Sequence, residues 1–163
     1  MAGRVLSDAS PLIGLARVDG LVWLQSLFGE VWVPDEVRVE VLPGLGLPDE
    51  LALQSAFDQG VLRVADVTPI TPTLPELDEG EAACIRLALA SSVPALLLMD
   101  ERAGRAIAAE HGLRVTGTAA VIGMARTRGL IPSAKEVFAR LHASDFRISA
   151  EVITTVLRRV GEG

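Results

Sequence analysis

The run Ala95-Leu96-Leu97-Leu98-Met99-Asp100-Glu101 constrains the fold more than any other stretch of this chain, because its apolar residues follow Pro94 without interruption and stop on two carboxylates. A short apolar run of this kind has no solvated face, so it predicts a strand buried on both sides, as in a parallel sheet covered by helices. A helical pattern from Arg102 to His111 follows directly. Open α/β sheets bind their ligands at the carboxyl ends of their strands. Asp100 is therefore expected where such a sheet does its chemistry.

The other segments supply the rest of that sheet. Arg4 to Asp8 reads as a short strand that also ends on a carboxylate, and Ser10-Pro11 reads as a helix start with Ser10 as N-cap and Pro11 at the first helical position. Asp8 is then not needed for capping. Two helical segments run to Phe28 with a turn at Asp19-Gly20, Glu30 to Val33 is a second strand, and Asp35 to Leu42 a helix. On that helix Glu40 lies beside the stripe of Val37 and Val41, either at its wet edge or turned toward a site. Pro43 to Pro48 is a flap or an inert surface loop. Glu50 to Gln59 resumes helix, Val61 to Val67 reads as a strand and the Pro- and Thr-rich Thr68 to Pro75 as an extended connector. Asp78 and Glu81 have capping-box spacing, yet Glu81 also shares a stripe with Ile85, Ala88 and Leu89, so a capping task and a site task both stay open. Leu113 to Thr116 is the last strand, and Thr118 is placed to cap the helix Ala119 to Arg128. The final helix, Ser149 to Val160, carries an apolar stripe for packing on the body or on a partner, with Arg158 and Arg159 in its last turn, where positive charge favours the helix dipole.

At 163 residues and 50% apolar content, the alternation predicts a single domain over 1–163, a three-layer α/β/α sandwich around a central parallel sheet of four to five strands. The one cysteine, Cys84, excludes an internal disulfide and cysteine-rich metal sites, which suits a reducing cytoplasm. No apolar run approaches the ~20 residues that span a bilayer, so no membrane association is expected. A net charge of −6 leaves no broad electrostatic footprint for non-specific nucleic-acid binding. Basic residues are nearly all arginine, with Lys135 the only lysine, and the guanidinium fork suits phosphate or carboxylate groups. A glycine-rich dinucleotide turn, a phosphate-loop GK[ST] and a GxSxG elbow are all missing, and His111 and His142 lack the spaced partner of a zinc site. Four acids remain, Asp8, Glu40, Glu81 and Asp100. Converging carboxylates repel one another, and a hard divalent cation such as Mg²⁺ or Mn²⁺, which prefers oxygen ligands, relieves that cost. Arg102 and Arg105, one helical turn apart, are phosphate ligands or solvated helix charges.

Five blocks in order, Val-Leu-Ser-Asp-Ala-Ser-Pro-Leu-Ile, Val-Pro-Asp-Glu-Val-Arg-Val-Glu, Leu-Asp-Glu-Gly-Glu-Ala, Leu-Leu-Leu-Met-Asp-Glu-Arg and Val-Thr-Gly-Thr, resemble a PIN-domain protein of the small prokaryotic branch related to VapC-type toxins. The resemblance runs on through Gly-Leu-Ile-Pro-Ser and Phe-Arg-Ile-Ser. It implies a PIN-like fold and a metal-dependent endoribonuclease, the toxin of a toxin–antitoxin pair, with Asp8, Glu40, Glu81 and Asp100 as both metal ligands and catalytic acids. Ser10 matches the hydroxyl residue that accompanies the first aspartate; Arg102, Arg105, Thr116 and Thr118 join it as substrate-contact candidates. The implied partners are an RNA substrate, a second copy of the chain in a homodimer, and a small antitoxin protein. The rival expectation is a non-enzyme, in which the same fold binds nucleic acid or a partner with a weak or vacant metal site.

Overall fold

The computed structural model describes residues 3–163 and contains a five-stranded, all-parallel sheet in the order β3-β2-β1-β4-β5. The strands are β1 (Arg4–Ser7), β2 (Val31–Val33), β3 (Leu62–Val64), β4 (Ala95–Leu98) and β5 (Arg114–Thr116). The helices are α1 (Ala9–Arg17), α2 (Leu21–Phe28), α3 (Asp35–Val41), α4 (Pro48–Asp58), α5 (Glu79–Ala90), α6 (Arg102–Glu110), α7 (Thr118–Thr127), α8 (Ala134–Ala143) and α9 (Ala150–Arg159). From β1 the chain moves outward to β2 and β3, then returns to the other side of β1 for β4 and β5. Right-handed crossovers in opposite directions put helices on both faces of the sheet. Accordingly α5 lies on β1 and β4 beside α6, while α1 packs with α2, α4 and α7. This is the α/β/α sandwich expected from the alternation.

The core runs through the sheet's centre: Leu6, Val31, Val33, Leu97, Leu98 and Met99 are fully buried, as are Leu12, Leu15, Ile85 and Ile122 from the covering helices. Burial of β4 on both faces holds for its carboxyl half only. Ala95 and Leu96 are half-buried, because the helices do not reach over the strand's amino end. The third strand is shorter than the Val61 to Val67 run, since pairing to β2 stops at Val64 and only Ala65 adds one further bond, from its amide to the Val33 carbonyl.

Several helix starts differ from the sequence pattern. Asp8, not Ser10, occupies the N-cap position of α1, though its side chain makes no capping hydrogen bond. Gly117, not Thr118, is the N-cap of α7. At the Asp19-Gly20 turn the left-handed residue is Asp19, with φ 57°; aspartate tolerates that region better than most side chains. The Pro43 to Pro48 segment folds around Glu50, whose carboxylate accepts the amides of Gly44, Leu45 and Gly46 at 2.6, 2.8 and 3.0 Å. Helix α9 packs on the body: its buried Val156 sits against Gly123 of α7, where a Cβ would come within 2.9 Å of the valine methyl. Glu162 then reaches the start of α8, accepting the Ser133 hydroxyl and the amides of Ala134 and Lys135 while Arg126 donates to it. These bonds hold its carboxyl below the usual glutamate range, the Ala134 amide most strongly.

Candidate active site

The centre of the sheet carries the site. Beyond the last residues of β1 and β4, the Asp8 amide donates to the Leu98 carbonyl at 3.0 Å, and the Met99 amide donates to the Thr116 carbonyl at 2.8 Å. The ladder thus extends one step past each strand and delivers Asp8 and Asp100 to neighbouring strand ends. These flank the crevice where the strand order reverses, the place where open α/β sheets bind ligands.

Asp8 and Glu81 are each only 5% exposed. A buried carboxylate costs several kcal/mol unless it is paired, so such groups shift toward the neutral form. Burial pushes the Asp8 carboxyl up to about 7; the Ala9 amide opposes the rise, and the charges of Asp78, Glu81 and Glu40 add to it. Glu81 is raised for the same reasons, burial first and then Asp78 and Glu101. Glu40, more exposed, is raised by partial burial and by Asp78. Gly80 makes room for this convergence: a Cβ there would lie 3.1 Å from Asp8 Oδ1 and 3.5 Å from Glu40 Oε1. Among the described residues, none of these acids has an arginine, lysine or histidine within ion-pair distance.

Asp78 is the member of this group that the capping-box spacing hides. Its carboxylate does cap α5, accepting the Glu81 amide at 2.8 Å. It also heads the neighbouring charges that act on Asp8, Glu40 and Glu81. Because Asp78 caps the helix, the Glu81 side chain is free of that task and turns inward toward Gly104, whose Cβ would meet its carboxyl at 3.4 Å.

Asp100 belongs to a different hydrogen-bonded set. Its Oδ1 accepts the Thr118 amide at 2.8 Å; its Oδ2 accepts the hydroxyls of Thr118 at 2.7 Å and Ser10 at 2.9 Å. Gly117 is required for this approach, since a Cβ there would lie 2.7 Å from Asp100 Oδ1. Ser10 and Thr118 therefore orient Asp100. Thr118, expected from the sequence as a substrate-contact candidate, is fully buried, with both its amide and its hydroxyl bonded to Asp100. Arg105 sits close by with Nη1 donating to the Met99 carbonyl at 3.0 Å, and Thr116 lines the same cavity as Asp100. Arg102 is exposed and does not line that cavity.

The donor set fits a hard divalent cation in kind: carboxylate oxygens, two of the groups buried, without a cation of the chain to neutralise them. Asp8, Glu40 and Glu81 offer such oxygens around Gly80 and Gly104, while Asp100, the fourth expected ligand, sits in its own hydrogen-bonded set. In spacing the set is open, for among the described residues no three His, Cys, Asp or Glu side chains close on one point.

No described helix is long and apolar enough to cross a membrane. A search of curated proteins finds no match. A family model for the PIN domain, a nuclease-type fold whose enzymes act on nucleic acid and generally use divalent metal ions, matches residues 4–162. With almost the whole chain matched, and a parallel sheet that delivers two aspartates to adjacent strand ends, the chain belongs to the PIN-domain family.

Proposed function

We propose that this chain is a Mg²⁺- or Mn²⁺-dependent endoribonuclease, the toxin of a toxin–antitoxin pair, that hydrolyses RNA phosphodiester bonds at Asp8, Glu40, Glu81 and Asp100. The observation that carries the reading is the uncompensated burial of Asp8 and Glu81 beside Glu40 and Asp78. Folding tolerates such a cost where function requires it, and strongly shifted groups cluster at functional sites. A bound ion would lower the pKa of a water and stabilise charge on the attacked phosphodiester. Asp8, Glu40 and Glu81 would supply its oxygen ligands. Asp100, held by Ser10 and Thr118, presents a fixed carboxylate at the neighbouring strand end, and Asp78 adds negative charge that strengthens the pull on a cation.

A second reading, a nucleic-acid- or partner-binding module with a weak metal site, is favoured by the open spacing of the acids. Cleavage of RNA by the purified protein separates the two. Under the enzyme reading Mn²⁺ supports cleavage, EDTA stops it, and Asp8→Asn and Asp100→Asn each abolish it; cleavage unchanged in both variants defeats the assignment. Protein that binds no Mn²⁺ in calorimetry and cleaves nothing is the module. The toxin role further requires a small inhibitory protein that co-purifies on co-expression, and a homodimer is read from light scattering. A cytoplasmic location accords with the RNA substrate and the single, buried Cys84.

A further inference from the structure

We propose that the cavity between the carboxyl ends of β4 and β5 and helix α9 is a nucleotide subsite that takes one residue of a single-stranded RNA through Arg105, Arg147 and Arg159. The proposal rests on the nuclease reading for its substrate and deepens it. The two sides of the Asp8–Asp100 crevice differ in charge. On the β2 side a cavity of about 520 Å³ is bordered by Asp35, Glu36, Glu40, Asp78 and Glu79, and the nearby Arg38 is already bound to Asp35 at 2.7 Å. A polyanion is repelled there. On the β5 side a cavity of about 570 Å³ is lined by the three arginines together with Asp100, a volume in the range of small-molecule sites, about 300–1,000 Å³.

The arginines are available. Arg105 spends one donor on the Met99 carbonyl, which fixes its head beside Gly117 in the cavity lining. Arg147 and Arg159 are exposed and, among the described residues, form no ion pair or side-chain hydrogen bond. Guanidinium forks match phosphate geometry. The lining is not uniformly basic, however. Glu101 and Glu151 also face the cavity, and Phe146 and Val152 supply apolar wall. Carboxylates accept hydrogen bonds from ribose hydroxyls and exocyclic amines, and apolar or aromatic wall receives a base. Free phosphate uses only the first of these features, whereas a nucleotide uses all three. A duplex keeps its base edges turned inward, so only an unpaired residue can enter.

The test uses the full chain in EDTA, titrated with 5′-adenylate while the arginine Nε–Hε and backbone amide resonances are followed. Saturable shifts are expected at Arg105, Arg147, Arg159 and Gly117. Inorganic phosphate and adenosine should each bind at least about tenfold more weakly, and the double variant Arg147→Ala/Arg159→Ala should lose about tenfold or more, the scale of a charged hydrogen bond. Both positions are exposed, so the variant keeps the fold, which its spectrum verifies. Absence of saturable shifts, phosphate binding as tight as adenylate, or a double variant that binds like the parent each overturns the proposal. If adenylate binds through these arginines but RNA is never cleaved, the nuclease reading fails and the subsite stands; if RNA is cleaved and adenylate does not bind here, the reverse holds.

Discussion

Asp8→Asn should stabilise the metal-free protein at pH 8, and the gain should shrink toward zero or reverse as the pH falls to 5. An unfolded aspartate titrates near 3.8, while in the fold the carboxyl is pushed up to about 7 by burial and neighbouring acids. The folded state therefore holds a proton that the unfolded state has released, and stability must fall as pH rises through this window. Below 3.8 both states are protonated and there is no cost; above about 7 both are ionised and the cost is complete. Linkage gives a penalty from this one group of about 2 kcal/mol at pH 5 and about 4 kcal/mol at pH 8. The asparagine carries no such penalty, but its buried amide leaves donors unsatisfied, costing about 1–3 kcal/mol at every pH. The net gain at pH 8 is thus about 1–3 kcal/mol, and the gain should grow by about 2–3 kcal/mol between pH 5 and pH 8. Urea unfolding of both proteins in EDTA at the two pH values measures this difference of differences. A gain that is equal at both pH values, or larger at pH 5, would refute the assignment of Asp8 as an uncompensated buried acid. Mn²⁺ at pH 8 should raise the midpoint of the parent and leave that of the variant nearly unchanged.

Asp78→Ala removes a cap, about 1 kcal/mol, and also removes the charge acting on Asp8, Glu40 and Glu81; its net cost should be larger at pH 5 than at pH 8, and thermal melts at both pH values check the sign. Thr118→Ala deletes a fully buried hydroxyl that donates to Asp100 at 2.7 Å and should cost about 1–3 kcal/mol in urea unfolding, together with a loss of RNA cleavage. Glu162→Ala leaves Ser133 as the cap of α8 but removes the acceptor of the Ala134 and Lys135 amides; hydrogen exchange should speed up at those two amides, and unchanged protection there would show that the carboxylate does not hold the C-terminal segment.

Local pattern was enough for the elements themselves. The unbroken apolar run from Ala95 to Met99, closing on Asp100, specifies a strand because no face of it is polar, and the short Arg4 to Ser7 segment, closing on Asp8, reads as a second; both aspartates are thereby placed at strand ends by the sequence itself. Glu81 was half legible: its place on an apolar stripe indicated burial, and its spacing from Asp78 indicated a cap. The structure divides these tasks between the two acids, with the Asp78 carboxylate bound to the Glu81 amide and Glu81 turned inward.

What tertiary structure decided is every relation between residues far apart in the chain. Capping propensity cannot show that Ser10 spends its hydroxyl on Asp100, 90 positions away, instead of on its own helix. Nor does a capping box reveal that α5 begins beside the end of β1, where Asp78 meets Asp8 and Glu40. Arg159 reads in sequence as a charge at a helix end, and only the packing of α9 on α7 brings it to the cavity shared with Arg105 and Asp100. The physical reason is one of range. Backbone propensity, apolar periodicity and capping act over a few residues and are written in neighbouring letters. Charge coupling and hydrogen bonds between side chains depend on distances that exist only after the crossovers have folded the chain across the sheet.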